Sequence, residues 1–152
     1  MHLKDRQWHT DVKLLYCPYI IRGNWVGLCI DLPSHKITVL LPDPTEYALK
    51  EVEKELLPLA SSLPFLITNC ATNAEMEADI SESFTITSYV GEWEIKCKGS
   101  HGITTILLLE LHTSNTLTFS ANLYEASIID TGKNYGVKIF EKFNFSLPLR
   151  MC

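Results

Sequence analysis

Asn24-Trp25-Val26-Gly27-Leu28-Cys29-Ile30-Asp31-Leu32 is a nearly unbroken apolar run. It has the length and composition of a strand buried on both faces. Lys13 to Ile21 (KLLYCPYII) precedes it and Lys36 to Leu41 (KITVLL) follows it. Arg22-Gly23 and Leu32-Pro33-Ser34-His35 supply turn chemistry between the three runs. The expectation is an antiparallel meander with the quoted stretch at its centre. Pro18 lacks a backbone N–H, which places the first strand at an edge or gives it a bulge.

Beyond the meander, Asp43-Pro44-Thr45-Glu46 predicts a helix start. Asp43 would be the N-cap, Pro44 the first helical residue and Glu46 the reciprocal capping-box partner. That helix is expected to run to about Ala60, burying Ala48, Val52, Leu56 and Leu59. Glu46 and Lys50 would sit on its exposed side. Ser61 to Leu66 is expected to return to the core. Cys70 to Ser83 (CATNAEMEADISES) is acidic and polar and reads as a surface loop, with an acidic docking segment as its functional alternative. Phe84 to Tyr89 alternates like a strand, and Glu92 to Cys97 reads as a second short one. Gly102 to His112 (GITTILLLELH) is apolar almost all round, so periodicity alone leaves strand and buried helix open. Leu123 to Ile129 predicts a helix, Gly132 an interruption, and Lys133 to Phe143 a further amphipathic helix with Ile139, Phe140 and Phe143 on one side.

The chain has 152 residues, which suggests one domain over 1–152. Its net charge is −5. No basic block offsets this, so nothing points to nucleic acid or an anionic membrane. No apolar run approaches the ~20 residues of a membrane helix. Met1-His2-Leu3-Lys4-Asp5-Arg6 does not open a signal peptide, because no long apolar stretch follows. The cysteines at 17, 29, 70, 97 and 152 are odd in number and form no C-x-x-C pair. That argues against a disulfide framework or a zinc site and fits the reducing cytoplasm or nucleus. No metal and no cofactor is expected.

Asn24-Trp25-Val26 through Ile30-Asp31-Leu32, followed by Lys36-Ile37-Thr38-Val39, resembles one segment of the SUMO and ubiquitin-like-protein-specific cysteine proteases of the adenain superfamily. In that family the strand begins His-Trp-Val, ends Ile-Asp-Leu, turns, and returns on a strand ending in Asp. A Gln follows, and then Gly-Asp-Cys-Gly opens a buried helix. In the branch carried by plant genomes and their transposons, that helix closes with Phe-Leu-Glu-Leu-His. Here Lys98-Gly99-Ser100-His101-Gly102 opens the segment and Leu108-Leu109-Glu110-Leu111-His112 closes it, at the same spacing. Tyr16-Cys17-Pro18-Tyr19-Ile20 resembles the family's Tyr-Ile-Pro strand, and Asn134-Tyr135-Gly136-Val137-Lys138-Ile139-Phe140-Glu141 its closing helix. The likeness covers roughly residues 8–143. It implies an α+β fold, with a mixed, largely antiparallel sheet flanked by helices. It makes Gly102 to His112 the buried helix. It also implies that the family's N-terminal helical part is missing, so that the chain corresponds to about the C-terminal two-thirds of the domain.

The resemblance further implies papain-like chemistry: a Cys nucleophile at a helix N-terminus, a His base, an orienting Asp and an oxyanion-hole Gln. Each choice is physical. The helix dipole and the imidazole lower the thiol pKa, and fixed donors meet the oxyanion. By position, none of the four survives. The base falls at Asn24, which has no titratable group near neutral pH. The acid falls at Leu41 and the nucleophile at His101. The Gln falls at about Ile95, or at Glu94; an apolar Ile and an ionised Glu both lack a donor.

Relocated roles have candidates. Asp43 lies two residues past the acid position and on the same strand face; its plainer reading is the helix cap. Cys97 and His101 could form a dyad, or share a metal for which no further ligands are in view. Cys29 reads as a small apolar filler; His35 lies in a turn and His112 at a helix end. Trp25 survives. In the family its equivalent borders the channel for the substrate's diglycine tail; otherwise it is an aromatic packed beside the sheet.

The expectation is a catalytically inactive, protease-like protein that binds another protein, a ubiquitin-like modifier being one candidate partner. Trp25, Asn24 and His101 are the candidate binding residues. The alternatives are a cysteine peptidase using Cys97 and His101, and a protein that associates with itself.

Overall fold

The computed structural model describes residues 11–70, 82–89, 91–117 and 123–144. The expected meander is present: β1 (Leu14–Ile21), β2 (Asn24–Asp31) and β3 (Lys36–Leu40) pair antiparallel in sequence order. A fourth strand, β4 (Thr85–Ser88), joins β3 in parallel, which makes the sheet mixed and its order β1-β2-β3-β4. Pro18 therefore lies on an edge strand, where its missing N–H breaks no ladder bond. Arg22 and Gly23 close the first hairpin with φ of 49° and 85°. Positive φ at both central residues matches the twist of the strands they join. The Arg22 guanidinium reaches Glu51 at 2.9 Å and Glu55 at 3.1 Å on the helix α1 (Leu49–Cys70). The hairpin tip is thus tied to α1, and with it Asn24 at the mouth of β2.

β2 is buried on both faces from Val26 to Ile30. Val26, Leu28 and Ile30 pack with Ile37, Val39 and Leu41 against Val52, Leu56, Ala60, Leu63 and Ile67 of α1. The opposite face meets α2 (His101–Thr113), whose Leu108 and Leu109 pack with Leu40 and Trp93. The apolar surround of α2 fits this covered position, and the family-based choice of helix over strand is the one observed. α3 (Glu125–Asn144) lies against α2.

Four expectations are corrected. The first concerns the helix start at Asp43. Asp43 Oδ1 accepts the Thr45 N–H at 2.9 Å and the Thr45 hydroxyl at 2.6 Å, and the Asp43 carbonyl accepts the Glu46 N–H at 3.2 Å. This closes a turn and does not continue as a helix. α1 begins at Leu49, where Glu51 Oε2 accepts the Ala48 N–H at 3.1 Å. Glu46 is therefore in a loop. Second, α1 does not stop near Ala60. It runs through Pro58 and Pro64, so Ser61 to Leu66 is helical. Third, residues 92–97 form no strand. Single bonds strap them to the loop after β3: Ile95 N–H to the Pro42 carbonyl at 3.1 Å, and Trp93 Nε1–H to the Leu41 carbonyl at 2.8 Å. Fourth, Gly132 does not separate two helices. A Cβ there would lie 3.4 Å from Ile103 Cγ1, so its small size serves the approach of α3 to α2. Most of the acidic stretch, 71–81, lies outside the described residues.

Candidate functional site

Two of the four catalytic-type positions converge, and the residue that joins them is Glu46. Asn24 Nδ2 donates to Glu46 Oε1 at 3.0 Å and also to the Tyr47 hydroxyl. Lys98 Nζ reaches the same Oε1 at 2.9 Å. His101 opens α2 and is 2% exposed. Its Nε2 lies 2.8 Å from the Ile95 carbonyl, and its Nδ1 lies 3.9 Å from Glu46 Oε2. A carbonyl only accepts, so Nε2 carries the ring hydrogen. Nδ1 has no hydrogen-bond partner. The carboxylate beside Lys98 holds that ammonium above its ordinary pKa, through the hydrogen bond first and the charge second.

The local causes are legible. β2 is central and its mouth is set by the tight Arg22-Gly23 turn, so Asn24 points at the loop after β3. The 3₁₀ turn Lys98–Ser100 leads into α2, which brings Lys98 and His101 to one side of Glu46. Trp25 points to the other face of β2 and lies over the start of α2: a Cβ on Gly102 would sit 3.5 Å from its Cδ1. Trp25 is 43% exposed. It is a surface aromatic beside the helix start and not a core residue.

The other two positions do not join the cluster by side chain. Leu41 is buried in the apolar layer under α1, and only its carbonyl does polar work, holding Trp93. Ile95 is fully buried and contributes its carbonyl to His101. Glu94 turns outward to Lys96 at 3.1 Å. Asp43, the candidate substitute acid, is spent on Thr45. Cys97 is exposed, and its N–H donates to Glu125 Oε1 at 2.9 Å. No hydrogen bond joins Cys97 to His101, whose ring nitrogens face Ile95 and Glu46. The burial of His101 also removes it from the residues a partner can touch directly; Asn24 is half-buried and Trp25 open. Among the described residues no cluster of three or more His, Cys, Asp or Glu could hold a metal ion.

Sequence reasoning missed Glu46, Tyr47 and Lys98. A signal existed for Glu46, a carboxylate five residues beyond Leu41, the position expected for the acid. Reading Asp43 as a helix cap placed it on a solvent face instead. Within this cluster the arrangement offers a carboxylate, an amide, an ammonium and a buried imidazole, and no thiol.

Residues 1–145 match the family model of the Ulp1 protease family, C-terminal catalytic domain. Among solved structures, the chain resembles the X-ray structure of the C-terminal Ulp1 protease domain in complex with Smt3, the yeast ortholog of SUMO. The TM-score is 0.55 at 13% identity, covering 84% of this chain and 52% of that one. The likeness is one of fold, and this chain spans about half the length of its structural neighbour. No curated protein matches it. The match over nearly its whole length places this chain in the Ulp1 protease family.

Proposed function

We propose that the protein is an inactive member of its protease family, retained to bind another protein. The observation that carries this reading is the Asn24–Glu46–His101 cluster. The base-type and nucleophile-type positions are brought together, yet they hold an amide and a buried imidazole around a carboxylate. Amide, carboxylate and imidazole supply neither a thiolate nor a positioned base for one. The structural neighbour was captured with Smt3, which makes a ubiquitin-like modifier the first partner to test here. Trp25 is the exposed contact for it. The experiment is incubation with SUMO and ubiquitin carrying C-terminal electrophiles, followed by intact-mass measurement. The expected result is no adduct, together with saturable, non-covalent binding of unmodified SUMO that Trp25→Ala weakens. Labelling of any cysteine overturns the inactivity, and Cys97 would then be the residue to examine first.

A second reading is self-association. Val137, Ile139, Phe140 and Phe143 of α3 are each more than half exposed, and apolar surface of this kind is commonly covered by association. Sedimentation showing only monomer at micromolar concentration removes it.

A further inference from the structure

We propose that α3 pairs antiparallel with α3 of a second copy of this chain, each copy laying its Phe140 over Gly136 of the other. This rests on the self-association reading and gives it a surface and a direction.

The first observation is a helix that outruns its support. α3 meets α2 in its first half, where Gly132 lies beside Ile103 and the Tyr135 hydroxyl donates to Glu110. From 136 to 143 every residue is exposed. Val137 and Ile139 are each 56% exposed, Phe140 68% and Phe143 67%. Two turns of helix gain little from propensity alone; in proteins they are held mainly by packing of an apolar face.

The second observation is spacing. Ile129, Lys133, Gly136, Phe140 and Phe143 follow one another at intervals of four, three, four and three. That alternation keeps side chains on the seam of a two-helix coiled coil. Val137 and Ile139 flank the seam, while Ile128 and Tyr135, which are turned to the body, lie off it. The face is therefore shaped for another helix.

The third observation selects the occupant and its direction. The seam is uneven: Gly136 leaves a hollow, two phenylalanines project, and Lys133 carries a charge. A Cβ on Gly136 would meet nothing within 4 Å among the described residues. Between two parallel copies, Gly136 would face Gly136 across a void, Phe140 would face Phe140, and the two Lys133 charges would meet. Turned antiparallel and centred on position 138, the same residues complement one another. Phe140 falls on the hollow at Gly136 of the other copy, and Phe143 falls on its Lys133, each contact made twice about the two-fold axis. The Phe143 ring covers the lysine methylenes and attracts the ammonium, which within its own helix pairs with Asp130 at 3.1 Å. The two Lys133 positions then stand ten residues apart, about 15 Å along the axis at ~1.5 Å per residue and beyond the ~8 Å screening length of physiological salt. The seam is thus self-complementary in volume and charge in one direction only, and the occupant is a second copy. The shared stretch is short, so the interface is small and the dimer dissociates on dilution.

The test is sedimentation velocity of the full, reduced chain across the micromolar range. The expected result is a dimer that dissociates as concentration falls, and that Phe140→Ala weakens. Gly136→Leu discriminates further. It adds apolar surface and helix propensity, and the open space at Gly136 admits it in the monomer, so unspecific association or parallel pairing would tighten. Here the leucine occupies the place of Phe140, and dimerisation should weaken roughly tenfold, as overpacked contacts do. Gly136→Leu combined with Phe140→Ala exchanges knob and hollow and should recover the dimer. Circular dichroism confirms that each variant is folded. A wild-type chain that stays monomeric throughout overturns both the pairing and the self-association reading. A dimer that Gly136→Leu leaves unchanged or strengthens, or that the double variant fails to recover, overturns the antiparallel pairing and leaves self-association through another surface standing.

Discussion

Gly27 lets β2 and α2 approach each other. A Cβ there would lie 2.9 Å from Leu109 Cδ2 and 3.3 Å from Leu40 Cβ. The tip of Leu109 can turn aside, but Leu40 Cβ moves only with β3. Gly27→Ala is therefore expected to destabilise the domain by ~1–3 kcal/mol, measured as a lowered denaturation midpoint. An unchanged midpoint would mean that the contact is relieved by Leu109 alone. A second prediction concerns Tyr16, whose hydroxyl lies 2.9 Å from His112 Nδ1. Burial, with Cys29 close by, pushes Tyr16 up to about 12, and burial also holds His112 below its ordinary value. For His112 the folded chain takes up a proton less readily than the unfolded one. Its contribution is complete above about 6.5 and is lost as pH falls from there toward the folded value. For Tyr16 the neutral form is favoured, so its contribution is present below about 10 and is lost as pH rises toward 12. The His112 ring resonance should titrate below the free-imidazole midpoint, and a midpoint at or above it would contradict the burial argument. At this scale, Asn24 and His101 were legible because each sits at a fixed place in a local pattern, a strand mouth and a helix start. Glu46 was not, because its role depends on the path of a loop that brings it between two elements distant in sequence.

Among the elements, α1 shows what a proline inside a helix makes available. Pro64 has no N–H to give to Ala60, four residues back. The Ala60 carbonyl instead accepts the Phe84 N–H at 3.1 Å, just ahead of β4. The helix irregularity thus anchors the entry of the only parallel strand in the described sheet. Pro64→Ala restores an internal donor and is expected to compete for that carbonyl. Hydrogen exchange at Phe84 should quicken about fivefold, the equivalent of ~1 kcal/mol for one hydrogen bond. No change at Phe84 would show that the carbonyl serves both donors. The same helix shows why element boundaries were harder to read than element types. Asp43-Pro44 carries cap chemistry, and Asp43 does accept a hydrogen bond from Thr45, but the turn it closes stands alone. The three strands of the meander were legible because their apolar runs are separated by turn residues. α3 was read as two helices because a glycine weakens a helix in isolation; packing against Ile103 overrides that preference.

For the whole molecule, the sheet is covered on both sides and β2 belongs to both layers. Its even-numbered residues serve α1, while Trp25 and Gly27 meet α2. The α2-side cluster draws its sheet residues from β1 and β3, Tyr16 and Leu40, and both strands pair with β2, so the two layers are expected to unfold together. Leu28 is fully buried on the α1 side. Leu28→Ala should cost ~2–5 kcal/mol through lost transfer energy and the cavity left behind. That is a large share of the 5–15 kcal/mol typical of a domain. Trp93 lies in the opposite layer, stacked on Tyr89 at 5.8 Å. With Trp8 and Trp25 replaced by Phe, its fluorescence reports on the side of the sheet that Leu28 does not touch. In denaturant, Leu28→Ala should shift the tryptophan transition and the far-ultraviolet circular dichroism transition by the same amount, because removing the side chain weakens a strand both layers share. A variant whose dichroism midpoint falls while the Trp93 signal holds its wild-type midpoint would show that the α2 layer folds on β2 without support from α1.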